Sequence, residues 1–151
     1  GSSAGNPNGK ASSREEFFWT KVDIFAPCAL ENQSKEAEAR ALQCKVVVEG
    51  ANGPTSPEGE KVLLGRNIAI LPDVLANSGG VTVSYYEWVQ NKRSESWTEE
   101  EVDAKLERAM TRSYREVADF ARQNKVDRRI AAYVIALARI EAVYKEREIF
   151  P

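Results

Sequence analysis

Three short apolar runs rich in β-branched residues punctuate the first half of the chain: residues 22–26 (VDIFA), 45–49 (KVVVE) and 67–71 (NIAIL). Each is followed at once by Pro or Gly, which stops regular pairing, so each predicts a strand. Between them, residues 31–42 (ENQSKEAEARAL) are rich in Ala and Glu and residues 57–64 (PEGEKVLL) open on Pro, a pattern that predicts two helices. Strands joined by helical crossovers run parallel, and right-handed crossovers lay the helices on the faces of the sheet. The predicted unit is therefore βαβαβ, half of a doubly wound α/β domain.

Beyond Leu71 the apolar period becomes helical. Val81, Tyr85, Trp88 and Val89 fall at i, i+4, i+7 and i+8 and define one helix face. Polar residues 92–96 make a surface connection. Thr98 followed by Glu101 is the signature of a capping box, and Val102, Leu106, Met110, Val117 and Phe120 extend an apolar stripe from it. After a turn at residues 124–127, a last helix carries two overlapping apolar rows: Ile130, Val134 and Leu137, then Tyr133, Leu137, Ile140 and Tyr144. Rows that wide predict a helix covered on more than one side. Tyr85, Tyr86, Trp88 and Tyr133 are expected in a core or an interface, and the Glu and Arg residues of the last two helices on a solvated face. Residues 1–13 (GSSAGNPNGKASS), by contrast, hold almost nothing apolar. The predicted division is a flexible arm or expression remnant over residues 1–15 and one structured unit over 16–151.

A chain of 151 residues is long enough for one globular domain, since it buries roughly 68–70% of its extended surface. Its 21 Lys and Arg against 23 Asp and Glu leave no basic excess, so neither nucleic acid nor an anionic membrane is an expected partner. The sequence has no His, which excludes Ser-His-Asp triads, His-activated cysteines and His-containing zinc sites. Acid and base chemistry falls to Lys, Asp, Glu, Tyr or Cys. Cys28 and Cys44 stand apart from any metal-ligand spacing; no metal site is expected, and both are read as small buried hydrophobes in a reducing compartment. No run approaches the roughly 18 apolar residues of a membrane span, and no charged-then-apolar leader opens the sequence. A cytoplasmic protein, or one of an organelle matrix, is expected.

In an open parallel sheet, ligands bind in the crevice beyond the carboxyl ends of the strands. Each predicted strand ends in residues suited to such a crevice. The first gives Ala26-Pro27-Cys28-Ala29, small enough for close approach to the backbone. The second gives Gly50-Ala51-Asn52-Gly53-Pro54, and the third gives residues 72–80 (PDVLANSGG), where Asn77 precedes two glycines and a helix start. Free N–H groups at that helix start attract an anion or a carbonyl oxygen, and an Asn side chain both donates to and accepts from a carboxamide or a ribose hydroxyl. Taken singly, Asn52 and Asn77 also fit ordinary turn or cap chemistry; their recurrence after consecutive strands puts the ligand reading level with it. Ser84 shares a helix face with Val81 and Trp88 near the same crevice, though a lone helical Ser also serves to bond the preceding turn.

Residues 22–33 (VDIFAPCALENQ), 45–63 (KVVVEGANGPTSPEGEKVL) and 70–91 (ILPDVLANSGGVTVSYYEWVQN) resemble successive segments of the glutamate dehydrogenases, within the glutamate, leucine, phenylalanine and valine dehydrogenase family. Residues 128–140 (RRIAAYVIALARI) and 147–151 are similar to that family's C-terminal helix and terminus, and the SYYEWVQN segment favours the glutamate enzymes. The resemblance implies the second half of a Rossmann-like doubly wound sheet, three parallel strands followed by C-terminal helices. It implies oxidative deamination of L-glutamate to 2-oxoglutarate and ammonia with NAD or NADP, in an oligomer. It also implies roles: Asn52 and Asn77 near the cofactor's ribose and carboxamide, Ala29 lining the cofactor cleft, and Val81 and Ser84 at the glutamate side chain.

The family's G-x-G-x-x-G turn, its catalytic Lys and Asp and its carboxylate-binding lysines match nothing in this sequence. No catalytic residue is therefore assigned, the cofactor site is expected to be incomplete, and the chain alone is expected to be inactive. Two readings follow: the C-terminal portion of a glutamate dehydrogenase, or a non-catalytic half-domain that associates with itself or with a full-length dehydrogenase. In either, the strand at residues 22–26 would present a bare edge, which predicts self-association, strand exchange or cover by the N-terminal arm.

Overall fold

A computed structural model describes residues 7, 9 and 11–147. The elements follow in the order α1 (Arg14–Trp19), β1 (Ile24–Phe25), α2 (Glu36–Ala41), β2 (Val46–Val48), α3 (Pro57–Gly65), β3 (Ala69–Leu71), α4 (Asp73–Ala76), α5 (Ser78–Arg93), α6 (Glu99–Asn124) and α7 (Arg128–Arg147). The strands pair in parallel in the order β1-β2-β3, as the spacing predicts. Register places Phe25 beside Val47 and Val47 beside Ile70. Because side chains alternate along a strand, this row points to one face, where it packs with Ala39 and Leu42 at the end of α2 and Leu63 of α3 as the first core. The next residues face the opposite way: Leu71 packs against a second core made by Leu75, Val117, Ala121, Ala131 and Ala132, while Ile24 is 61% exposed.

Local chemistry sets the helix boundaries. Ser56 accepts the Gly59 N–H and Pro57 fills the first helical position of α3. The predicted box at Thr98 caps α6, with Thr98 Oγ1 accepting the Glu101 N–H and the Glu101 carboxylate accepting the Thr98 N–H. A second box, Ser13 with Glu16, starts α1, which the composition of the N-terminal stretch does not announce. That helix buries Phe18 against Phe25 and lies beside α2 through Arg14, which bonds Gln33 and Glu38. The arm assigned to residues 1–15 otherwise lies mostly outside the described residues.

Several expectations need correction. The helix predicted over residues 31–42 is confined to Glu36–Ala41, because Asn32 takes a left-handed φ of 52° and the Asn32 and Ser34 N–H groups donate to Gly53 and Pro54. Those cross-loop bonds outcompete helix propensity, a weak bias. Cys28 is exposed, and Cys44 is only half-buried at the margin of the first core. Helix α7 is covered on one side alone among the described residues: Ala131, Ala132 and Ile135 pack inward, while Tyr133, Leu137 (63% exposed) and Ile140 face outward. Of the core or interface expected for Tyr85 and Trp88, only the core is excluded: the two stack on each other on an open face of α5. Finally, Arg129 leaves the solvated face assigned to its helix and enters a buried charge cluster.

Candidate functional site

A cleft of about 670 Å³ opens beyond the carboxyl ends of β1 and β2, lined by Ala29, Gly50, Ala51, Asn52, Asn77 and Val81 among others. Its walls are two turns held together by backbone bonds. The Pro27 carbonyl accepts the N–H groups of Gly50 (3.1 Å) and Ala51 (2.9 Å), and Ser34 pairs with Thr55 in a short parallel bridge further out. This contact explains Gly50, where a Cβ would stand 2.6 Å from Cys28 Sγ. Gly53 has φ +53°, the left-handed conformation that the turn after Asn52 requires.

Across the mouth of the cleft, Asn77 Nδ2 donates to Asn52 Oδ1 at 2.6 Å. That bond uses half of each amide. Asn52 Nδ2 and Asn77 Oδ1 have no protein partner among the described residues, so the pair presents one donor and one acceptor to the cleft. The structure thus brings together four of the residues singled out in the sequence: Ala29, Asn52, Asn77 and Val81. Val81 is 70% exposed at the rim. Ser84 lies three residues further along α5, exposed and outside the cleft lining.

Behind the cleft sits a cluster the sequence reading missed. Glu49, directly after β2, is fully buried, and its Oε2 accepts the Asp73 N–H (2.9 Å) and Arg129 Nη2 (2.7 Å). Arg129 also bonds Asp73 Oδ1 through Nη1 (2.9 Å) and both oxygens of Glu60 through Nε (2.9 and 3.0 Å). Burial works against the guanidinium charge, but the hydrogen bonds to Glu60 and Glu49 outweigh it and hold Arg129 above its ordinary pKa. Asp73 Oδ2 in turn accepts the Gly53 N–H at 2.8 Å, tying the cluster to the Asn52 turn. The available signal was Glu49 itself, a carboxylate closing an apolar run of valines, where an unpaired charge is rare.

The model of the glutamate/leucine/phenylalanine/valine dehydrogenase family matches residues 3–147. The chain belongs to this family. Within it, the chain is 45% identical over 128 residues to a cryptic catabolic NAD-specific glutamate dehydrogenase of Bacillus subtilis, covering 85% of this chain and 30% of that protein. It is 43% identical over 145 residues to a glutamate dehydrogenase of Thermotoga maritima, covering 96% and 35%. Its fold matches the crystal structure of glutamate dehydrogenase from Peptoniphilus asaccharolyticus with a TM-score of 0.78 at 46% identity, over 83% of this chain and 32% of that one. It matches a hetero-hexameric glutamate dehydrogenase of Thermus thermophilus with a TM-score of 0.86 at 33% identity, over 92% and 33%. The chain therefore spans about a third of the length of the family members it resembles.

Proposed function

We propose that this chain forms the nicotinamide-facing part of an NAD(P)-dependent glutamate dehydrogenase. The observation that carries the reading is the Asn77–Asn52 pair at the mouth of the cleft, in a chain 43–46% identical to glutamate dehydrogenases. Its free donor and acceptor match the oxygen and the NH2 of a carboxamide, so the residues present fit that end of a nicotinamide dinucleotide. When bound, the cofactor supplies the acceptor for hydride from the amino acid. The chain's part is orientation: Asn52 and Asn77 hold the carboxamide or the adjoining ribose, and Ala29, Gly50 and Ala51 let the backbone come close. Val81 at the rim and Ser84 beyond it are the residues we place at the glutamate side chain, with Ser84 Oγ donating to its γ-carboxylate. Orientation is worth a great deal in catalysis but replaces no proton-transfer group, and this reading assigns none to the chain. An oligomeric assembly follows from the apolar faces of α5 and α7.

Titration with NADH and an assay with L-glutamate and NAD+ test this. The chain alone is expected to bind NADH no tighter than about 100 μM and to form no NADH above background, because half a cleft gives few contacts. Turnover by this chain that disappears on Ser84→Ala would refute the non-catalytic part of the reading.

A further inference from the structure

We propose that Arg129 is a positioning residue for the cleft: through Asp73 it sets the geometry in which Asn52 and Asn77 face each other. The inference rests on the reading of that cleft as the nicotinamide end of the cofactor site. Each nitrogen of the Arg129 side chain, in the first turn of α7, addresses a different element: Nε meets Glu60 of α3, Nη1 meets Asp73 of α4 and Nη2 meets Glu49 at the end of β2. Two of the other bonds of Asp73 reach the asparagine turns. Its Oδ2 accepts the Gly53 N–H at 2.8 Å, next to Asn52, and its backbone carbonyl accepts the Asn77 N–H at 3.1 Å. One residue is thus bonded both to Asn77, through its backbone, and to the neighbour of Asn52, through its side chain, and the guanidinium shares with the Val74 N–H the oxygen that orients that side chain.

The chemistry favours positioning over simple attachment of α7. Apolar residues of similar volume hold two elements together as well as a buried ion cluster does. They cannot, however, aim the two oxygens of Asp73 in different directions, Oδ1 at Arg129 and Oδ2 at Gly53. The rigid planar fork of Arg reaches three carboxylates at once, whereas Lys offers a single nitrogen. Glu49 closes the ring, because its Oε2 accepts both the Asp73 N–H and Arg129 Nη2. Helix α7 is therefore linked to the asparagine pair by a short chain of directional bonds, although none of its described residues lines the cleft.

The test uses the 151-residue chain, with Arg129→Lys and Asp73→Asn compared with the unsubstituted protein by amide exchange and by NMR of the Asn side chains. Positioning predicts that Gly53 N–H exchange rises about tenfold and that the Asn77 side-chain amide moves towards its free position. The Ala69 N–H, which donates to Lys45 at 3.2 Å in the sheet, keeps its protection. NADH affinity, followed by the same NMR shifts, is expected to fall about tenfold. Unchanged Gly53 and Asn77 signals would overturn the proposal, and so would Gly53 and Ala69 losing protection together, which marks Arg129 as a holder of the fold only. If Arg129→Lys does not fold, Glu60→Gln decides instead, because it loosens the guanidinium without touching Asp73 or Gly53: faster Gly53 exchange with Ala69 still protected supports positioning, and unchanged Gly53 exchange overturns it. An unsubstituted chain with no NADH response counts against the cofactor reading, while the exchange and side-chain readouts still decide the positioning role.

Discussion

Asn77 and Asn52 stand 25 positions apart in sequence, yet their side chains share a 2.6 Å hydrogen bond across the cleft. Asn52 lies in the turn after β2 and Asn77 at the junction of α4 and α5 beyond β3, and the parallel pairing of β2 with β3 brings the two segments side by side. The bond leaves a donor on one amide and an acceptor on the other, the arrangement on which the cofactor reading rests.

The close packing of α3 against the loop after β1 makes Gly59 a position with no room. A Cβ there would lie 2.4 Å from the Ser34 carbonyl oxygen, which is backbone and cannot swing aside. Gly59→Ala is expected to lower the unfolding free energy by about 1–3 kcal/mol through overpacking. At Gly65, near the end of the same helix, a Cβ meets nothing within 4 Å. Gly65→Ala is expected to be neutral or stabilising by about 0.5–1 kcal/mol. Urea unfolding of the two variants side by side checks both signs.

The two thiols are expected to differ in reactivity. Burial pushes the Cys44 thiol pKa up, with nearby Arg66 opposing it only in part, and a raised pKa means less thiolate. Cys28 is exposed on the lining of the cleft. Limited treatment with a disulfide reagent near pH 8, read by peptide mass spectrometry, is expected to label Cys28 well before Cys44. Equal labelling would contradict the burial of Cys44.

Acid should release the first helix before the sheet. Burial raises the Glu38 pKa, but hydrogen bonds from backbone N–H groups and from Arg14 outweigh it and leave the carboxyl below its ordinary value. A depressed folded-state pKa contributes stability that is present above the unfolded value and is lost as pH falls through the folded one. The Arg14–Glu38 bridge, at 3.2 Å, is partly exposed, so its contribution is small, about 1 kcal/mol or less. Amide exchange at Phe17, whose N–H donates to Ser13, is expected to quicken as pH drops below about 4, after correction for intrinsic rates, while Ala69 stays protected. Parallel loss at both would contradict a local origin.

The outward apolar rows of α5 and α7 are expected to drive self-association. Tyr85, Trp88, Tyr133 and Leu137 are all at least half exposed. Exposed large apolar side chains in rows along a helix mark an interaction face. Sedimentation velocity should show a concentration-dependent oligomer that shifts towards monomer in a Leu137→Asp, Tyr85→Asp double variant. Because these side chains point away from both cores, unfolding midpoints should change little.

Much of this architecture is legible in the sequence because it is locally encoded. The β-branched runs, the Pro at position 57 and the Thr98–Glu101 box each carry their own stop or start signal. That Ala29, Asn52 and Asn77 line one cleft was also accessible, since all three lie in the segments that follow consecutive strands, although the residues alone left ligand and turn readings of the two Asn level. The rest depends on distant partners. Arg129 lies 80 positions from Glu49 and 69 from Glu60, and no local pattern distinguishes it from Arg128 beside it. Residues 31–35 read as helix because the competing bonds come from the turn at 53–54. The apolar rows of α7 read as core because periodicity reports which face is buried but not by which chain.

The most direct test is to map NADH onto the folded chain by two-dimensional 15N NMR at millimolar cofactor. Shifts are expected to concentrate at Ala29, Gly50, Ala51, Asn52 and Asn77, including both Asn side-chain amides. Asn77→Ala should weaken binding about tenfold, the loss expected for one buried hydrogen-bonding group, without disturbing Ala69 in β3. Shifts centred elsewhere, or an affinity indifferent to Asn77→Ala, would contradict the assignment of this cleft to the nicotinamide end of the cofactor.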